Sequence, residues 1–229
     1  MKIFLSHSQR IVGLSKKGKE FFKMTSSLTE TIQNIAVEDT RIWTCCENVY
    51  NLYDNGEDTA FYISKDNINQ LLVARLTRPG DWDTVLACQD CCIRLIHSSK
   101  LFIEIPTSDP VTALASISLE SYDISPSTTI ALVYGLSTGG LGMVQLLGNG
   151  TFHRTWFVED DESRRTAITC LCVYDIDSDG RKEVVVGRDD GRVEVFKLAA
   201  DAVTSAPSIV FCRDIGERQP ASHHSCSGR

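Results

Sequence analysis

An excess of positive charge, a long apolar run and an even set of cysteines are all missing from this chain, and each absence removes a class of protein. Its 229 residues carry 23 Lys plus Arg against 30 Asp plus Glu, a formal charge of -7, which opposes nucleic-acid backbones and anionic lipid as primary partners. The densest basic cluster, Lys16, Lys17 and Lys19 around Gly18, reads as a solvated hairpin tip. No apolar stretch approaches the roughly 20 residues that span a bilayer, and the longest candidates, such as 129–136, are strand-sized. The apolar start MKIFL gives way at once to SHSQR, too short for a secretory signal. A soluble, cytoplasmic chain without direct membrane insertion is therefore expected. The nine cysteines, scattered from Cys45 to Cys226, lack the dense paired framework of small secreted domains, so reduced thiols are expected.

What the chain has is strand grammar, on a hydrophobic content of 42% that suits a globular core. Residues 174–196, YDIDSDGRKEVVVGRDDGRVEVF, read as strand, acidic turn, strand, tight turn and strand. Val184, Val185 and Val186 form a β-branched run suited to a strand covered on both faces. Arg188-Asp189-Asp190-Gly191 supplies turn chemistry. Beyond it Val193 and Val195 alternate with Arg192 and Glu194, the pattern of a strand with a buried valine face and a wet polar face. One such unit cannot bury its own faces.

The same grammar recurs. Units open at Ile32, Ile68, Val111 and Ile168, intervals that match the roughly 40 to 50 residues of propeller blades once a polar insertion at 120–127 is allowed for. Strand-like pieces at 2–5, 10–14 and 20–24 supply most of a further blade without its first strand. The expected fold is all-β, a β-propeller of four-stranded antiparallel blades, incomplete at about four and a half blades. Closed propellers have four to eight full blades, so the chain reads as truncated. Residues 1–212 are assigned to the partial propeller. The polar, Ser- and His-rich string at 213–229 is expected to be a disordered tail.

Several of these segments, in order, resemble the amino-terminal β-propeller of the Bardet-Biedl syndrome 7 protein family. They are GLSKKGKEFF at 13–22, SLTETIQNI at 27–35, VLACQD at 85–90, IEIP at 103–106 and VGRDDGRVEVF at 186–196. The resemblance implies a non-enzymatic scaffold: a BBSome subunit acting with other BBSome subunits in a hetero-oligomeric complex that moves membrane proteins to and from the cilium, located at the cilium and its basal body. In that family the propeller precedes a coiled coil, which nothing here resembles. The sequence also departs from the family pattern at Cys91-Cys92 and at 121–127.

Motifs with chemical potential are few. Asp175, Asp177 and Asp179 in DIDSDG alternate as in the opening of a calcium loop, with Glu183 at the ninth position and Gly180 for the sharp turn. An EF-hand would need a carboxylate at the twelfth position, where Val186 stands, and flanking helices. Calcium held by Asp175, Asp177, Asp179 and Glu183 is thus one reading, a calcium-binding propeller module, and a solvated turn between strands is the other. No other cofactor is expected. GLSTG at 135–139 spells a nucleophile elbow, but a strand rather than a helix follows, and Ser137 has no placed His and acid, so a hairpin turn is expected. Cys88-x-x-Cys91 has zinc-like spacing without a second pair and reads as buried thiols. His223, His224 and Cys226 fall in the tail, Asn149-Gly150-Thr151 reads as a turn, and the charges of 159–165 read as a loop between blades.

Overall fold

The computed structural model describes residues 2–77, 80–120, 128–147, 149–159, 166–199 and 205–215, and every regular element among them is a strand. A three-stranded sheet comes first: β1 (Lys2–His7), β2 (Arg10–Ser15) and β3 (Glu20–Thr25). Four four-stranded sheets follow. The second holds β4 (Asn34–Glu38), β5 (Arg41–Cys45), β6 (Val49–Asp54) and β7 (Glu57–Ile63). The third holds β8 (Ile68–Ala74), β9 (Asp83–Cys88), β10 (Cys92–His97) and β11 (Lys100–Pro106). The fourth holds β12 (Val111–Glu120), β13 (Thr128–Leu136), β14 (Leu141–Leu146) and β15 (Phe152–Val158). The fifth holds β16 (Ile168–Tyr174), β17 (Glu183–Arg188), β18 (Arg192–Lys197) and β19 (Ser208–Asp214). Each is an antiparallel meander whose strands pair in chain order, the expected blade. The three-stranded opening plus four full sheets matches the expected incomplete propeller.

Period-two alternation decides which neighbour each side chain meets. On β13, Leu132, Tyr134 and Leu136 join Val85, Ala87, Ile93 and Leu95 of the third sheet in one core. The intervening Ala131 and Val133 turn the other way and join Ile168, Val184, Val186 and Phe196 of the fifth. Trp43, Cys45 and Tyr50 pack with Ile68, Leu71 and Leu86 between the second and third sheets. Between the first and second, the buried group among the described residues is Ile11, Ile32, Ile42 and Tyr53. Each large apolar side chain so enclosed contributes about 1.5 to 3 kcal/mol relative to exposure. Gly135 belongs to this packing: a side-chain carbon there would lie 2.5 Å from Cγ2 of Ile168. GLSTG is accordingly a close-approach strand end and a turn, with Gly139 at φ 93°.

Three details differ from the sequence reading. Val184 and Val186 are buried against the fourth sheet, but Val185 is only half-buried, because no described sheet covers the other face of the fifth. On β18 the alternation is as expected and its faces are inverted: Arg192 and Glu194 are buried and Val193 and Val195 half-buried. The polar pair is on the side of the fourth sheet, enclosed by ionic partners from its own hairpin, Arg188 and Asp190, and the valines face the open side. The last strand also runs through Arg213 to Asp214, two residues into the stretch assigned to the tail. The 121–127 insertion, most of the 159–165 loop and the His223, His224 and Cys226 string lie outside the described residues.

Candidate functional site

The DIDSDG turn joins β16 to β17 and is shaped by its own carboxylates. Ser178 and Gly180 take positive φ, 60° and 86°. The Gly180 N–H donates to Asp175 Oδ2 at 3.0 Å, Asp179 N–H to Asp177 Oδ1 at 3.2 Å, and Arg181 N–H to Asp179 Oδ1 at 2.8 Å. Ile176 N–H donates to Glu183 Oε2 at 2.9 Å. Asp175, Asp177 and Glu183 each place an oxygen within one 4.8 Å group. Asp179 stands outside that group and joins it through Lys197, whose Nζ reaches Asp177 Oδ2 at 2.8 Å and Asp179 Oδ2 at 2.7 Å. The Lys197 hydrogen bond holds the Asp179 carboxyl below the usual carboxylate range, helped by the Arg181 N–H, and both acids push the Lys197 ammonium up. Three of the four predicted ligands therefore converge, and sequence reasoning missed Lys197, which lies opposite Glu183 in the β17–β18 register.

Of the Cys88-x-x-Cys91 pair expected to be buried, Cys88 is buried and Cys91 is only half-buried, because it sits at the turn. Cys45 and Cys88 are buried, and burial pushes Cys45 up to about 12 and raises Cys88, so neither is a ready thiolate for zinc or for attack. Cys91 sits at the turn itself with φ 58°. The structure also holds polar networks that the sequence did not disclose. Arg94 on β10 is fully buried, and it donates to Asp90 Oδ1 at 2.8 Å, Glu104 Oε2 at 3.0 Å and Ser64 Oγ at 3.2 Å. In the fifth sheet Glu194 is held by Arg188 Nε at 2.8 Å and Arg192 Nη1 at 3.3 Å, and Arg188 Nη1 also donates across to the Gly139 carbonyl of the fourth sheet at 3.1 Å.

Asp83, His97 and Thr77 meet as a third network, with His97 Nε2 2.6 Å from Asp83 Oδ1 and the Thr77 hydroxyl donating to that same oxygen at 3.0 Å. The types invite a catalytic reading, but the geometry is that of a loop clamp. The other Asp83 oxygen accepts the Leu76 and Thr77 N–H groups at 2.8 and 2.7 Å, and His97 stacks on Phe102. Asp83 thereby pins the connection between β8 and β9.

The outer boundary of the fifth sheet is different in kind. Cys170, Cys172 and Tyr174 on β16 and every residue of β19 are exposed, including Ile209, Val210 and Phe211, with Tyr174 at 66%. Among the described residues no helix is long and apolar enough to cross a membrane.

Stacked meanders of four strands, packed face to face in chain order through alternating side chains, define a β-propeller repeat protein. Residues 1–218 match the BBS7 beta-propeller family, and the chain belongs to that family. It is 30% identical over 228 residues to the BBSome complex member BBS7 of Mus musculus, covering all of this chain and 31% of the mouse protein. The BBSome complex member bbs-7 of Caenorhabditis elegans is 24% identical over 202 residues, 86% of this chain and 27% of the worm protein. The chain thus spans about a third of the length of these relatives. Among solved structures, a BBS1 amino-terminal fragment crystallised in complex with ARL6 aligns with a TM-score of 0.65 at 10% identity, over 93% of this chain and 60% of that one. The Cps50 (Swd1) beta-propeller domain of Myceliophteria thermophila aligns with a TM-score of 0.66 at 12% identity, over 92% of this chain and 68% of its own. These two likenesses establish the fold alone.

Proposed function

We propose that the chain is a non-enzymatic interaction scaffold, a propeller portion of a BBSome subunit that meets other subunits in a hetero-oligomeric complex. In this reading it serves the traffic of membrane proteins to and from the cilium, working in the cytoplasm, at the cilium and at its basal body. Family membership supports it, as do the names of the mouse and worm relatives, both BBSome complex members. The observation that carries it is the uncovered side of the fifth sheet. Tyr174 and Phe211 lie exposed on that face, in register with Glu183 and Val195, and Ile209 and Val210 lie exposed along the same outer strand as Phe211, whereas the third and fourth sheets pack on both sides. Clustered apolar surface of this kind marks interaction sites. The test is co-purification of the tagged chain from ciliated cells with identified BBSome subunits. A Tyr174→Asp, Phe211→Asp double variant is expected to cut that capture at least tenfold while melting at an unchanged temperature. A monodisperse, cooperatively melting chain that captures none of the subunits overturns the reading.

A second reading, a calcium-binding interaction module, is favoured by the convergence of Asp175, Asp177 and Glu183. Calorimetry with calcium tests it: binding that is lost in Asp177→Ala supports it, and binding that survives that change rules out these ligands.

A further inference from the structure

The turn hydrogen bonds account for one oxygen on each carboxylate and by themselves point to no ligand. The other oxygens do. Asp175 Oδ1 and Glu183 Oε1 are closed off from solvent and accept no hydrogen bond, and the Glu183 residue is only 3% exposed. A buried acceptor left unmatched is costly, the more so when charged. Lys197 does not relieve them. Its ammonium bonds the two outer carboxylates, Asp177 and Asp179, and stands 4.0 Å from Glu183 Oε1, outside hydrogen-bond reach. One positive charge at the mouth thus faces four carboxylates and leaves two inward oxygens behind it.

A hard divalent cation suits that vacancy of charge better than an ammonium. Calcium gathers six to eight oxygens at about 2.3 to 2.6 Å from carboxylates, carbonyls and water, whereas an ammonium offers three N–H donors. Resting on the calcium-binding reading above, we propose that Asp175, Asp177 and Glu183 form a calcium cradle and that Lys197 competes with the ion for it. With Lys197 inserted, the turn is stapled to β18. With calcium bound, the Lys197 stem swings out to solvent, Asp179 keeps only the Arg181 N–H, and the ion adds to the existing tie between the turn and Glu183 at the start of β17.

Calorimetric titration of the whole chain with calcium chloride, run alongside Lys197→Met and Lys197→Gln, tests this. Both variants are expected to bind calcium at least tenfold more tightly than the unaltered chain, and Asp177→Asn placed on Lys197→Met is expected to abolish binding. Thermal melting of each protein verifies that it is folded, and using two variants at the half-buried Lys197 gives two chances of a folded one. Equal affinity in the unaltered chain and both variants overturns the competition while leaving calcium binding standing. No binding heat in any of them overturns the competition and the calcium reading together.

Discussion

The hairpins of the third and fifth sheets share one backbone frame and fill it with opposite charge. In both, the turn carbonyl is closed by the residue after the outer strand: Thr107 N–H donates to the Cys91 carbonyl at 2.8 Å and Ile215 N–H to the Gly191 carbonyl at 3.1 Å. In both, the turn amide is tied to the segment before the inner strand, Gln89 to Asn67 at 2.9 Å and Asp189 to Ala167 at 3.0 Å. The third residue of the following strand is buried in each. It is Arg94 in one, ringed by acids, and Glu194 in the other, ringed by arginines. The fourth sheet puts Met143 at that place and the second puts Asn51, whose amide donates to Asp58 Oδ2 at 3.0 Å. The blade therefore specifies a filled, matched site there and leaves its chemistry open.

Removing one partner from these sites separates them. Glu194→Ala removes the buried carboxylate that Arg188 and Arg192 share and is expected to destabilise by about 3 kcal/mol, read as a fall in urea midpoint. Asp90→Asn leaves Arg94 with Glu104 and is expected to cost about half as much. The same pair has a pH signature. The Arg94 hydrogen bond holds the Asp90 carboxyl below the usual carboxylate range, against burial. A depressed folded-state value stabilises fully above the unfolded one and is lost as pH falls through the folded one. Melting temperature should therefore drop below about pH 4, with part of that drop absent in Asp90→Asn. The turn residue gives the smaller effects. Gly191→Ala puts a side chain at φ 89° and should cost about 1 kcal/mol. Cys91→Gly relieves the same conformation at φ 58° and should gain about 0.5 kcal/mol, the relief being offset by the freedom of glycine in the unfolded chain.

The repeat was legible because turn chemistry and β-branched runs are local signals, and they located the opening of all four full blades to within two residues. The faces of β18 were not. Alternation of Arg192, Val193, Glu194 and Val195 gives a period without a sign, and the usual sign, apolar inward, fails where charges find buried partners within their own sheet. Those partners, Arg188 and Thr166, bond Arg192 and Glu194 from positions that only the fold brings close. The candidate site divides in the same way. Asp175, Asp177 and Glu183 declared themselves by spacing, but Lys197 joined them through a strand register that no linear motif encodes. Asp83, His97 and Thr77 likewise meet across a connection whose course the sequence does not state.

The packing of each sheet on its sequence neighbours also sets an order of opening. Cores shared only between adjacent units make a linear series of links, each with its own strength. The link between the first and second sheets, built on Ile11, Ile32, Ile42 and Tyr53, is far smaller than the one joining the third and fourth. Amide exchange should therefore run in a gradient along the chain: β1 to β3 trade their protons first, by local opening, while β9 and β13 hold theirs until the whole array gives way.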